Sequence, residues 1–282
     1  MATLLMGYDT EYHAIGENLA RGGGTSFYPD LPYDTTAQGV DVIKRVHSDL
    51  GVGGTLFVCG RTLVHALSAI EGAMDSGLEI QQHTYSHSLF KQDSWQGGVF
   101  YASPPEALLH EVTATSGLIK RHLGVECIGL RTPHCYYKGL SDRPDLVALL
   151  DEAGISYVSS WARNESNGNP TPFSVQPFWY EEQGYPEILE LPAQFWLDAF
   201  WFEENGIDRG RDFLEALKGA IDKIVDGDLV YGACFHEWAM LRYDEAGTGW
   251  VRGLIEYALG RGVAVMSYGD YYRILAAQRA AL

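Results

Sequence analysis

The sequence predicts an α/β fold in which parallel strands close, or nearly close, into a barrel. Short apolar runs alternate with longer helical patterns, and seven or eight strands come out of that alternation. A glycine also stands repeatedly between the end of a helix and the next strand, at Gly77, Gly124, Gly154 and Gly262, where a left-handed helix cap is wanted. A chain of 282 residues, 46% of them hydrophobic, is long enough to build one such barrel around an ample core. One domain over residues 1–282 is therefore expected, since neither a repeat nor a linker interrupts the pattern.

Taken in order, the first apolar run gives a strand over residues 3–8, and a helix over 36–50 precedes the run Gly54-Thr55-Leu56-Phe57-Val58-Cys59, a strand over 54–59. A helix over 61–76 ends at Gly77 and leads into a strand over 78–82. A helix over 105–123 and Gly124 then precede a strand over 126–130, and a helix over 143–153 and Gly154 precede one over 155–159. Strands over 187–191, 229–235 and 263–267, with helices over 208–226 and 248–261, complete the series. Residues 12–34, 88–104 and 160–186 are rich in Gly, Pro, Ser and Asn, as binding loops and lids are. The aromatic run from Leu191 to Phe202, with Phe178, Trp179 and Tyr180 nearby, suits a stacking surface for a sugar and equally a subunit interface or loop core.

Charge narrows the partners. With 20 basic against 37 acidic residues the formal net charge is −17, which disfavours phosphate backbones and anionic membrane surfaces. Nucleic acid and membrane partners are not expected, a small-molecule or carbohydrate substrate is, and a homo-oligomer stays open. Cys59, Cys127, Cys135 and Cys234 show no Cys-x-x-Cys spacing and mostly end apolar runs, so they read as reduced, buried residues. The first residues pass directly into a strand without a basic or cleavable leader, and no run is long enough to span a bilayer, so a cytoplasmic location is expected.

The chemistry-bearing residues fall at predicted strand ends, where parallel barrels carry their active sites. Asp9 and Glu11 follow the first strand, His83 and His87 the third, Arg131 and Pro133 the fourth, and His236 ends the run from Leu229. Imidazoles four residues apart plus one carboxylate supply the three protein ligands typical of catalytic zinc, with a position left for water. Taken alone, His236 also reads as a core histidine, Arg131 as a cap partner and Pro133 as a turn former.

In order and separation these motifs resemble the polysaccharide deacetylase family, metal-dependent hydrolases of N-acetyl and related amides on a NodB-like, distorted (β/α) barrel of about seven strands. The resemblance spans nearly the whole chain. It rests on His83-Thr84-Tyr85-Ser86-His87, Asp9-Thr10-Glu11, Arg131-Thr132-Pro133 and Phe235-His236-Glu237-Trp238. It implies a divalent ion, Zn²⁺ by default, on Glu11, His83 and His87. Asp9 would be the general base, His236 the acid that protonates the departing amine, and Arg131 the group that orients Asp9. Pro133, His134, Trp196 and Trp238 would line the substrate. Because Thr10 stands where the family usually has a second aspartate, two alternatives stay open: the acids exchange roles, or Glu11 is a surface carboxylate and Asp9 alone reaches the metal.

A further departure lies at Tyr157-Val158-Ser159-Ser160-Trp161, where the family usually has an aspartate that braces the arginine; either Asp198 replaces it or the brace is absent. The reading implied is an N-deacetylase of a carbohydrate-like intracellular substrate. The alternatives are a cyclic amide or imide hydrolase of the allantoinase-like branch, and a non-catalytic carbohydrate-binding barrel.

Overall fold

The computed structural model describes residues 1–15, 31–95, 98–243 and 249–281. The first predicted strand is present but broken at Met6 into β1 (Thr3–Leu5) and β2 (Gly7–Thr10). β3 (Thr55–Val58) and β4 (Glu79–Gln82) follow beside β2 in parallel register. A small antiparallel hairpin, β5 (Asp93–Trp95) and β6 (Gly98–Phe100), leaves the frame before β7 (Gly129–Tyr136) and β8 (Tyr157–Trp161) rejoin it. β9 (Phe178–Tyr180) runs antiparallel to β10 (Tyr185–Glu190), which is itself parallel to β8. β11 (Val230–Gly232) pairs with β1, and β12 (Phe235–His236) with β2, so the run predicted over 229–235 is also one strand broken in two. β13 (Ala264–Met266) flanks β1 on its other side.

The long sheet has the order β12-β2-β3-β4-β7-β8-β10-β9, and the short one β11-β1-β13. From β12 to β10 that is a run of seven parallel strands, as the sequence leads one to expect. Both breaks have one cause: each strand changes partners midway, serving the short sheet first and the long sheet after. Among the described residues no ladder joins β10 to β11. Glutamine side chains span the gap instead, with Gly232 N donating to Gln194 Oε1 at 2.6 Å and Val230 N to Gln176 Oε1 at 2.9 Å. Gln194 N in turn donates to Gly232 O at 3.0 Å.

The helices lie where their apolar periodicity places them. The helix Gly210–Gly227 buries Phe213, Leu217, Ala220, Ile221 and Ile224, one stripe at helical spacing, and packs on Trp250–Gly260, which buries Trp250, Leu254, Ile255 and Ala258. Gly77, Gly124, Gly154 and Gly262 all take positive φ, from 70° to 90°, as the helix-to-strand turns require.

Several expectations are corrected. The helix predicted over 61–76 is two, Gly60–His65 and Leu67–Asp75, broken at Ala66, where φ is −117° and ψ 31°. The strand predicted over 126–130 begins later and runs on to Tyr136. Helices at Asp198–Asn205, Ala239–Arg242 and Tyr268–Ala280, and the β5–β6 hairpin, had no counterpart in the sequence reading. Most of the irregular segment 12–34, and residues 96–97 of the next, fall outside the described residues. All four cysteines are buried and free. No helix among the described residues is long and apolar enough to cross a membrane.

Parallel strands send their C-terminal ends to one rim. Asp9, Glu11, His83, His134 and His236 therefore arrive at the same end of the sheet from β2, β4, β7 and β12.

Candidate active site

Glu11 leaves the end of β2 and turns inward, only 3% exposed. Its Oε2 lies 3.0 Å from His83 Nε2 and 2.9 Å from His87 Nε2. The histidine segment is not helical. Thr84 and His87 both take φ 61°, folding the loop so that both rings reach the same carboxylate. Ser88 N donates to Thr84 Oγ1 at 3.0 Å, and Glu111, on the helix Pro105–Leu123, accepts from Ser86 N at 2.7 Å and Ser86 Oγ at 2.8 Å.

Tautomer chemistry then says what the cluster can hold. His83 Nδ1 is 2.8 Å from the Arg131 carbonyl, which can only accept, so Nδ1 carries a proton. In the neutral ring Nε2 then directs its lone pair at a carboxylate oxygen. Two acceptors in contact repel unless Nε2 also gains a proton or a cation lies between them. A second-nitrogen hydrogen bond to a carbonyl is also how metal-ligating histidines are oriented. Burial pushes against charge on His83, but Asp9 and Glu11 outweigh it and its pKa is raised; for His87 burial wins and the pKa is lowered. Burial would raise the Glu11 pKa, yet His87, His236 and His83 hold it well below the usual carboxylate range, so it is an anion. The ligand atoms of Glu11, His83 and His87 lie within 4.8 Å of one another. Two imidazole nitrogens and a carboxylate oxygen in one buried cluster fit a first-row divalent ion.

Asp9 stands beside this cluster, its Oδ2 3.7 Å from His83 Nε2. Its Oδ1 accepts from Arg131 Nη1 at 2.9 Å, and the guanidinium is clamped between the rings of Phe57 (4.3 Å) and Tyr268 (4.8 Å). Gly7 leaves room for that group: a Cβ there would sit 2.6 Å from Arg131 Nη2. Ser159, in the segment where the bracing aspartate is missing, accepts from Arg131 Nε at 3.2 Å. A neutral hydroxyl thus takes that place.

Asp198 does not brace Arg131. It holds His236, accepting from the backbone N at 2.8 Å and from Nδ1 at 2.5 Å. Burial opposes charge on His236, but Asp198 and Glu11 overcome it and raise the pKa to about 10. His236 Nε2 is 3.6 Å from Glu11 Oε1.

The remaining sequence-predicted residues are placed as follows. Trp238 is 1% exposed, and its Nε1 is 3.4 Å from Glu11 Oε1, so it packs behind the carboxylate, out of a ligand's reach. Trp196 packs edge to face on Trp201 at 5.5 Å, and Pro133 is buried within β7. Trp196 and His134 are both partly open; 14% of the His134 side chain is exposed, and its ring is 5.5 Å from that of His87.

Sequence reasoning missed Glu237. Its Oε1 accepts from Glu11 N at 2.9 Å, Tyr12 N at 2.8 Å and Thr36 Oγ1 at 3.0 Å, which fixes the backbone that carries Glu11. Its Oε2 has no hydrogen-bond partner among the described residues. Burial, with Glu11 adding to it, pushes the Glu237 pKa up to about 8. A carboxyl raised on folding contributes stability below its unfolded pKa and loses it as pH climbs through the folded value. In chelator-treated protein, the Tm of Glu237→Gln relative to wild type should therefore improve between about pH 5 and about pH 9. Differential scanning calorimetry checks this, and a difference that does not vary with pH would contradict it.

The polysaccharide deacetylase family model matches residues 28–157, which include His83, His87, Arg131 and Pro133 but not Asp9, Glu11 or His236. No curated protein sequence matches the chain. Among solved structures, a candidate polysaccharide deacetylase from Mycobacterium smegmatis has a TM-score of 0.72 at 18% identity, covering 99% of this chain and 91% of that one. PuuE allantoinase has a TM-score of 0.72 at 17% identity, over 96% and 89% of the two chains. A probable polysaccharide deacetylase from Pseudomonas aeruginosa PAO1 has a TM-score of 0.70 at 16% identity, over 96% and 90%. Residues 28–157 thus match the polysaccharide deacetylase family model, and nearly the whole chain shares the fold of these solved structures.

Proposed function

We propose that the chain is a metal-dependent amide hydrolase, an N-deacetylase of a carbohydrate-like substrate. One observation carries the reading: Glu11, His83 and His87 converge, with the Asp9–Arg131 pair on one side and the Asp198–His236 pair on the other. A divalent ion on those three side chains, Zn²⁺ by its donor set, would acidify water and polarise the scissile carbonyl. Asp9, steered by Arg131 at Oδ1, keeps Oδ2 toward the cluster and takes the proton as water attacks. His236, held charged at neutral pH by Asp198, gives a proton to the departing amine, without which an amide nitrogen does not leave. Trp238 and Glu237 keep Glu11 in place from behind.

The likeness to PuuE allantoinase motivates ring opening of a cyclic amide as the second reading. Zinc-loaded protein incubated with tri-N-acetylchitotriose and, separately, with allantoin distinguishes them. Acetate released from the sugar supports the deacetylase, and ureide turnover without acetate release supports the alternative. Binding of the oligosaccharide with turnover of neither compound would contradict both.

A further inference from the structure

Arg163 stands two residues beyond β8, at the rim that carries the candidate site, and is only 3% exposed. Its Nε and Nη2 both donate to the His134 carbonyl, at 3.1 and 2.9 Å, and its guanidinium lies 4.1 Å over the Phe200 ring. Phe200 belongs to the helix Asp198–Asn205, two residues after the aspartate that holds His236. The cation is thus fastened between a strand whose His134 ring adjoins that of His87 and a helix whose first residue holds His236.

A guanidinium has five N–H donors, and two of these meet a single carbonyl oxygen. The carboxylate beside it does not take the others: Asp93 Oδ2 is 3.6 Å from Nη2 and is engaged by His134 Nδ1 at 2.7 Å, while Oδ1 accepts from Asn167 Nδ2 at 2.7 Å. Nη1 makes no hydrogen bond among the described residues, and it is not one of their sealed polar atoms either, so the sliver of guanidinium left open includes that nitrogen. Arg131 shows what a purely internal guanidinium looks like here, with Nη1 on Asp9, Nε on Ser159 and Nη2 on the Ala233 carbonyl. Arg163 is not closed in that way. Burial lowers its pKa more than Asp93 raises it, and because arginine does not deprotonate in proteins the fold carries a desolvated cation whose partners fall short.

On a chain of net charge −17 this opening does not belong to any general basic surface. The group that completes it must accept hydrogen bonds in the guanidinium plane and bring one negative charge. A carboxylate does both. A phosphoryl group brings close to two charges, and Asp93 stands near enough to oppose the second. We propose that Arg163 is a specificity residue that binds a carboxylate of the substrate through Nη1, so that the preferred compound carries a carboxylate besides the amide to be cleaved. This rests on the hydrolase reading given above.

Steady-state kinetics test it on zinc-loaded wild type, Arg163→Lys and Arg163→Met. The compounds are N-acetylglucosamine, its 6-uronate, its 3-O-lactyl ether and its 6-phosphate. In wild type, kcat/KM for a carboxylated compound should exceed that for N-acetylglucosamine by about tenfold or more, chiefly through KM. Arg163→Met, whose side chain still covers Phe200, should bring that ratio close to one, and Arg163→Lys, which keeps the charge without the fork, should give an intermediate value. No such preference in wild type, a preference for the 6-phosphate, or a ratio unchanged in Arg163→Met would overturn the proposal, the last by making Arg163 an anchor of the His134 backbone only. Should Arg163→Met fail to fold, the ratio in Arg163→Lys decides: a fall supports the assignment and no change overturns it. If wild type cleaves none of the four, the hydrolase reading fails and calorimetric affinity for the same compounds decides instead. Tighter binding of a carboxylated compound, weakened in both variants, then supports the role of Arg163, and equal or absent binding overturns it.

Discussion

Glu11→Gln is expected to leave the fold intact and to weaken Zn²⁺ binding by more than about 100-fold, beyond the 10–100-fold typical of groups that only orient a ligand. Among the described residues the carboxylate is the one anion in contact with both imidazoles, and a neutral amide in its place removes the charge that balances the ion. His83→Ala should act alike, since its Nδ1 bond to the Arg131 carbonyl aims Nε2 at the cluster. His236→Ala should differ: metal binding persists while turnover falls by about 10²–10⁴, the range for a lost proton donor. Isothermal titration of chelator-treated protein with zinc, alongside acetate release, separates the two classes. Equal zinc affinity in wild type and Glu11→Gln would remove Glu11 from the ligand set.

The second large effect is on stability. Arg131→Met should cost about 3–5 kcal/mol, because it leaves the Asp9 carboxylate buried without its partner. For a chain of this size that lowers Tm by on the order of 10 °C. The loss should be mostly recovered in Arg131→Met/Asp9→Asn, where methionine fills the slot between Phe57 and Tyr268 and no buried charge is left over. Thermal unfolding of the two variants checks this. A double variant as unstable as the sum of its single changes would mean that Arg131 stabilises through packing and Ser159, with Asp9 incidental.

What could be read from the sequence was whatever is local. Strand runs, the helix–glycine–strand units and His83-Thr84-Tyr85-Ser86-His87 each lie within a short window, and their place at strand ends follows from parallel topology. The supporting carboxylates were not legible for the opposite reason. Asp93 reaches His134 across 41 positions, Asp198 reaches His236 across 38, and Glu237 reaches Glu11 across 226, with no spacing rule to join them. Asp198 was noticed but given to Arg131, because nothing in a sequence says which of two neighbouring cations an acid will face. Trp196 and Trp238 were both expected to line the substrate, yet Trp238 is sealed behind Glu11 while Trp196, partly exposed, packs on Trp201; tryptophan burial depends on tertiary packing. Positive φ at Thr84, His87 and His134 was hidden because none is a glycine. The helix Tyr268–Ala280 escaped because it buries little beyond Tyr268 and Gly269 and so has no apolar stripe to detect.

The central claim is that Glu11, His83 and His87 share one cation. Crystals grown with zinc and measured at the zinc absorption edge test it most directly. The account predicts one anomalous peak about 2.0–2.2 Å from a Glu11 carboxylate oxygen and from Nε2 of both histidines. A fully occupied peak elsewhere, with Glu11 still hydrogen-bonded directly to both imidazoles, would contradict it.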